Sequence, residues 1–246
     1  MPLNKTAKLY KLLWAFCFVL TVLTSCEKNT SDERNTNDSL ETEATNLKLL
    51  SLGDSYTIGE SVCNACRFPE QLKDSLLNRL NSEISINLNV IATTGWTTTD
   101  LLNALDNEDL DTDHDLVTLL IGVNNQYQNQ PFNIYETEFE ALVQRATTYA
   151  GGDKDNIIVV SIPDYGYTPF GQSNQENISL EIEQYNAFAR TYCEVNNITF
   201  VNITDITQRG LEQPNLVASD NLHPSTLAYS LFVERLLPKA LAKLQN

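Results

Sequence analysis

Lys48-Leu49-Leu50-Ser51-Leu52-Gly53-Asp54-Ser55-Tyr56-Thr57-Ile58-Gly59 is the stretch on which the fold of this 246-residue chain turns. Its first five residues are mostly apolar and stop at a glycine, the pattern of a short buried strand running into a turn. Gly53 lets the backbone bend there, and Ser55 follows just past the carboxyl edge of the strand, where open α/β sheets keep their reactive groups. A serine presented in this way is a candidate nucleophile. Taken alone, a Gly-Asp-Ser tripeptide is only a turn.

The same alternation continues downstream. Pro69 suits the first turn of a helix carrying Leu72, Leu76, Leu77 and Leu80, and Ile84 to Ala92 reads as a second strand. Thr93-Thr94-Gly95-Trp96-Thr97 turns away from it, and Thr97 with Asp100 makes a capping box before Leu101, Leu102 and Leu105. Leu116 to Ile121 is a third strand, ending in Gly122-Val123-Asn124-Asn125. A helix over 134–150 closes on Gly151-Gly152, and a fourth strand over 157–162 breaks at Pro163. A helix over 178–195, a short strand over 198–203 and a helix from Ser225 complete the chain. Strands alternating with helices predict a parallel sheet covered on both faces, in one domain over residues 47–246.

Residues 1–26 lie outside that domain. Lys5, Lys8 and Lys11 form a basic start, Leu12 to Leu23 an apolar run, and Leu23-Thr24-Ser25-Cys26 closes it, as in an export signal. The run is short for a membrane span. Its end resembles a bacterial lipobox, in which Cys26 takes the lipid and anchors the chain to a membrane surface; the plain alternative is an ordinary cleaved signal. Residues 27–46 are polar and lack large apolar side chains, so a flexible tether is expected. Acidic residues after Cys26 resemble the tags that send some lipoproteins to the outer cell surface.

Sixteen Lys and Arg against thirty-two Asp and Glu give a formal net charge of −16, which disfavours nucleic acid as a partner. Cys17 leaves with the signal. Cys63-Asn64-Ala65-Cys66 has redox or metal spacing, but it stands alone, no histidine is near, and it lies eight residues beyond Ser55. A local disulfide in an exported protein is the expected state, with Cys193 a buried thiol. Asp109, Asp111, Asp113 and Asp115 alternate as in a calcium loop. His114 and Leu120 stand where that loop needs glycine and glutamate, so a solvated acidic connection with His114 as a loop residue is expected. No metal or organic cofactor is called for.

Four strand ends now carry chemistry, and in a parallel sheet they share an edge. Gly53-Asp54-Ser55, Gly95, Gly122-Val123-Asn124 and Asp220-Asn221-Leu222-His223 stand in the order of the four blocks of the SGNH (GDSL) hydrolases, which the whole domain resembles. The resemblance implies a flavodoxin-like three-layer α/β/α sandwich with five parallel strands ordered 2-1-3-4-5. It implies Ser55 as nucleophile, His223 as base and Asp220 as its orienting acid, with Ser55, Gly95 and Asn124 as oxyanion donors. These roles are sound chemistry: a hydroxyl needs a base, the imidazolium needs a carboxylate, and the tetrahedral oxyanion needs N–H donors. Tyr56 replaces the leucine of the family's motif, and the Gly95 block is otherwise threonine-rich. Asp54 is expected to brace the turn.

The expected activity is hydrolysis of carboxylic esters, small acyl or acetyl, on carbohydrate or lipid, through an acyl-serine. An acyltransferase on the same fold, or a surface lipoprotein that only binds, are the alternatives. Tyr56, Tyr127, Tyr165, Tyr167 and Phe170 are candidate substrate contacts, with Gln126 and Gln128 beside them; packing alone accounts for the aromatics equally well. A monomer is expected.

Overall fold

Five parallel strands run in the order β2-β1-β3-β4-β5 in the computed structural model, which describes residues 45–245. The strands are β1 (Thr45–Gly53), β2 (Ile84–Ala92), β3 (Leu116–Leu120), β4 (Ile157–Val160) and β5 (Thr199–Val201). β1 pairs with β2 on one side and β3 on the other, with Gly53 level with Ala92 and Leu120. Leu49, Leu50 and Leu52 are therefore buried on both faces of the sheet, which is why this strand reads as a continuous apolar run. β2 lies at the sheet's edge; its Ile84, Ile86, Leu88 and Val90 are half-buried while Ser85, Asn87 and Asn89 are exposed, and so its sequence alternates.

The longer helices are α2 (Phe68–Leu77), α3 (Thr98–Leu105), α5 (Phe132–Tyr149), α6 (Gln175–Val195) and α8 (Thr226–Leu244). Short turns of helix α1 (Ser55–Ile58), α4 (Val123–Tyr127) and α7 (Thr204–Thr207) follow β1, β3 and β5. α2 packs on α8, and α5 packs on both α3 and α6, giving one helical layer on each face of the sheet. Between α5 and α6, Phe132, Tyr135, Phe139, Tyr185 and Phe188 form a cluster whose Tyr135–Tyr185 ring centroids are 4.5 Å apart. Truncating a fully buried leucine such as Leu50 costs about 2–5 kcal/mol. Among the described residues no helix is long and apolar enough to cross a membrane.

Several boundaries differ from the sequence reading. β1 begins at Thr45, inside the stretch read as tether. Past the end of β4 at Val160, Ser161 N still donates to Val201 O at 3.0 Å, and Asn186 of α6 takes over at Ile162. Its Oδ1 accepts from Ile162 N at 2.7 Å, and its Nδ2 donates to Ile162 O at 3.0 Å. Gly53 remains within β1 and its role is spatial: a Cβ there would lie 2.2 Å from Thr57 Oγ1 and 2.3 Å from Leu120 O.

His114 is corrected. It is buried, and its backbone N–H (2.9 Å) and ring Nδ1 (3.1 Å) both donate to Tyr149 O, pinning the end of α5 to the start of β3. The acidic connection around it is exposed as expected, but Lys48 Nζ gathers it in, 2.9 Å from Asp111 and 2.8 Å from Asp113. Cys63 and Cys66 are disulfide-bonded, whereas Cys193 is free and buried, and burial pushes its thiol up to about 12. The export signal, Cys26 and most of the tether lie outside the described residues.

Candidate active site

Ser55 opens α1 two residues beyond the end of β1, so the strand's register fixes its place at the carboxyl rim. Asp54 caps that helix: its Oδ1 accepts from Tyr56 N at 3.0 Å, which is the bracing expected of it. The rest of this carboxyl group is unusual. Asp54 is fully buried, its Oδ2 has no hydrogen-bond partner among the described residues, and burial pushes its pKa up to about 7 against the pull of the backbone N–H.

His223 arrives from the loop before α8, and Asp220 folds back to meet it. Asp220 Oδ1 accepts from the backbone N–H of Leu222 (2.9 Å) and of His223 (3.0 Å). Its Oδ2 accepts from His223 Nδ1 at 2.6 Å and from Ser61 Oγ, also at 2.6 Å. Partial burial raises this carboxyl, but the hydrogen bonds from Ser61, from the imidazole and from the two amides outweigh it and hold the group well below the ordinary carboxylate range. With Nδ1–H committed to the carboxylate, the other ring nitrogen is the one left to accept a proton.

Ser55 and His223 line one cavity of about 270 Å³, together with Gly95, Asn124, Tyr56, Thr94 and Val123. Asn124 Nδ2 donates to Trp96 O at 2.9 Å, and Gln128 Nε2 donates to Gly95 O at 3.1 Å, so both fix the Gly95 turn against α4. Gly95 has φ +86°, a conformation suited to glycine, and a Cβ there would meet nothing within 4 Å. Its backbone thus stands open at the cavity wall.

A family model described as GDSL-like Lipase/Acylhydrolase matches residues 51–231, the span that holds all four blocks. The chain belongs to that family. It is a hydrolase of the esterase and acylhydrolase type. No curated protein matches the sequence. Among solved structures, the lipase/acylhydrolase from Enterococcus faecalis is similar with a TM-score of 0.63 at 18% identity, over 80% of this chain and 96% of that one. The acetylxylan esterase Axe2 from Geobacillus stearothermophilus gives 0.61 at 20% identity, over 80% of this chain and 96% of its own. LAE5, an alpha/beta hydrolase from the metagenome of Lake Arreo, Spain, gives 0.61 at 21% identity, over 82% and 98%. At these identities the likeness is one of fold.

The aromatic residues of this GDSL-like hydrolase divide. Tyr127, Tyr165 and Phe170 line the cavity and touch one another, with centroids 6.1, 6.2 and 6.4 Å apart, so they are both packing and lining. Tyr56 is buried beneath them and meets the His223 ring edge-on at 5.7 Å. Tyr167 does not join the cavity; it faces a separate surface depression with Gln172 to Leu180. Gln126 is also withdrawn, its amide held by Glu181 (2.6 Å) and by the Tyr165 hydroxyl (2.8 Å).

Sequence reasoning missed three contributors. Leu222 completes the apolar wall. Asn125 is buried and clips the start of α3, just past the Gly95 turn, to α4, its Oδ1 accepting from Thr98 N at 3.0 Å and its Nδ2 donating to Thr98 Oγ1 at 2.6 Å. Ser61 reaches Asp220 across 159 positions. An Asn-Asn pair reads as a turn and a Glu-Ser pair as a loop, so no linear signal marks either; Leu222 was legible only as a member of its block.

Proposed function

We propose that this chain hydrolyses carboxylic esters of small acyl groups through an acyl-Ser55 intermediate. The observation that carries the reading is that Ser55, His223, Gly95 and Asn124 share one small cavity while Asp220 holds the imidazole by Nδ1. Ser55 Oγ bonds to the ester carbonyl carbon as its proton passes to the free ring nitrogen of His223. The former carbonyl oxygen takes the negative charge among the Ser55 N–H, the Gly95 N–H and the Asn124 amide. Collapse breaks the carbon–alkoxy bond, His223 returns the proton to the departing alcohol, and water repeats the sequence on the acyl-serine.

The lining supports the acyl preference. The cavity is near the small end of ligand pockets, and Tyr56, Val123, Tyr165 and Leu222 give it apolar walls. Tyr127 and Phe170 are half-exposed at the same cavity and offer ring faces to the alcohol portion, where a sugar would stack. The acetylxylan esterase among the similar structures is in keeping with a short acyl group on a carbohydrate.

Export and lipid attachment at Cys26 belong to the same reading. Their support is the basic-apolar-Cys26 pattern and the Cys63–Cys66 disulfide, a bond that persists in oxidising compartments. Loss of fatty-acid labelling in Cys26→Ser is the expected outcome. For the chemistry, a fluorophosphonate should modify Ser55, and release of acetate should exceed that of long-chain acids. Turnover that survives Ser55→Ala overturns the mechanism, and acyl transfer to an added alcohol without net hydrolysis assigns a transferase instead.

A further inference from the structure

We propose that Ser61 is a positioning residue for the Asp220–His223 pair, held at its station by the disulfide-closed loop between α1 and α2. The inference rests on the catalytic reading of Ser55, His223 and Asp220 given above. Three of the four donors on the Asp220 carboxylate come from its own turn, Leu222 and His223. The fourth, Ser61 Oγ, comes from the loop that follows the nucleophile, and it lands on Oδ2, the oxygen that also receives the imidazole. A carboxylate held only from its own turn is free to pivot with it; a donor from a distant element fixes the direction in which Oδ2 faces Nδ1.

The loop is built for that placement. Ser61 has φ +65°, a left-handed conformation that strains any side chain and suits glycine better, so the hydroxyl comes at a conformational cost. Two residues later Cys63 is bonded to Cys66, closing the segment just before α2. Immediately before it, Glu60 accepts the hydroxyl of Thr94, the neighbour of Gly95. One short loop therefore touches both the acid of the triad and the turn that presents an oxyanion donor, while Ser61 itself lies outside the cavity lining.

Removing the hydroxyl has two effects with distinct readouts. Asp220 loses its fixed direction, which lowers kcat without touching the substrate surface and so leaves KM alone. Oδ2 also keeps more of its charge for the imidazolium, which moves the acid limb of the kcat/KM profile upward. The other titratable groups near the pair are Glu60 on the same loop, the buried Asp54, Tyr56 against the His223 ring, Asp164 and Tyr165 from the segment after β4, and Tyr229 of α8, whose burial and negative neighbours Asp54, Asp220 and Glu60 raise its phenol. All are common to the variants, so the shift is read as a difference.

The experiment compares Ser61→Gly, Ser61→Ala and Ser55→Ala in the full chain on an acetyl ester. Ser61→Gly, which relieves the backbone, should keep or raise Tm while kcat falls roughly ten-fold at unchanged KM. The acid limb should rise by roughly half a pH unit. Ser61→Ala should share both catalytic changes despite its lower Tm. The inference is overturned if Ser61→Gly keeps wild-type kcat and acid limb while Ser55→Ala is inactive, or if only Ser61→Ala loses activity, which would assign the effect to strain. An active Ser55→Ala would instead overturn the triad itself.

Discussion

Both rims of the sheet carry a histidine with aspartates close by in sequence, and the two are wired differently. At the amino rim, His114 stands between Asp113 and Asp115, but both carboxylates are spent on Lys48, on its ammonium (2.8 Å) and on its backbone N–H (2.7 Å). The ring itself donates to a carbonyl, Tyr149 O. At the carboxyl rim, His223 donates to a carboxylate, and its other nitrogen belongs to a residue that lines an open cavity with Ser55. A carbonyl fixes a ring's tautomer; a carboxylate fixes it and also stabilises the charge that forms when the ring takes a proton. The difference between a ring that only staples and a ring equipped to take a proton is thus set by the partner, and the neighbours in sequence do not reveal it.

Substitutions can break that contrast, and the largest effect is expected at the histidines. His223→Ala should lower kcat by about 10⁴-fold or more, as should Ser55→Ala. His114→Ala should leave kcat unchanged and lower stability by about 1–2 kcal/mol, read from denaturant unfolding. Loss of activity in both histidine variants at equal stability would remove the distinction. Asn124→Ala, which deletes a proposed oxyanion donor and its tie to Trp96, should cost about 10²–10³ in kcat.

The two carboxyl groups near Ser55 sharpen the comparison within the carboxyl rim. Asp220 is saturated with donors and held low, whereas Asp54 is buried with an oxygen that has no partner among the described residues, and it is raised to about 7. Because the folded pKa of Asp54 lies above its ordinary 3.8, its contribution to stability is full below about pH 4 and is lost as pH rises through 7. Asp54→Asn keeps the acceptor for Tyr56 N and carries no charge. It should raise stability at pH 8 by an amount on the order of a few kcal/mol and make no difference at pH 4. A variant less stable at both values would mean that the buried carboxyl has a partner. The smallest effect belongs to the amino rim: Lys48→Met, which removes the two exposed ion pairs to Asp111 and Asp113, should move Tm within experimental scatter, with less salt dependence than wild type.

Much of this was legible in sequence where one residue's neighbours determine its state. β1 and β3 read as continuous apolar runs because both of their faces are covered, and β2 as an alternation because only one is. Ser55, Gly95 and Asn124 are legible because each follows a strand end on one rim; the Asp220–His223 pair reaches the same cavity on the loop before α8, well past β5, and is legible only as a motif. Thr97 and Asp100 form the expected capping box. What failed was what depends on partners far away in the chain. His114 sits among acidic residues, a setting that suggests solvation, but the end of α5 covers it. Tyr167 stands two residues from Tyr165 in sequence, but the turn of helix that holds both sends the two rings to different surfaces. Ser61 has no linear mark at all, since its partner lies 159 positions later.

β1 also decides how the molecule could be put to use. It enters at Thr45 and ends at Gly53 beside the cavity, nine residues in all. At the usual rise of a strand that separates the two points by roughly 27 Å. Thr45 therefore stands at the rim of the domain remote from the mouth, and a bead coupled to that residue's side chain would leave bulky polymeric esters free to approach from the other rim.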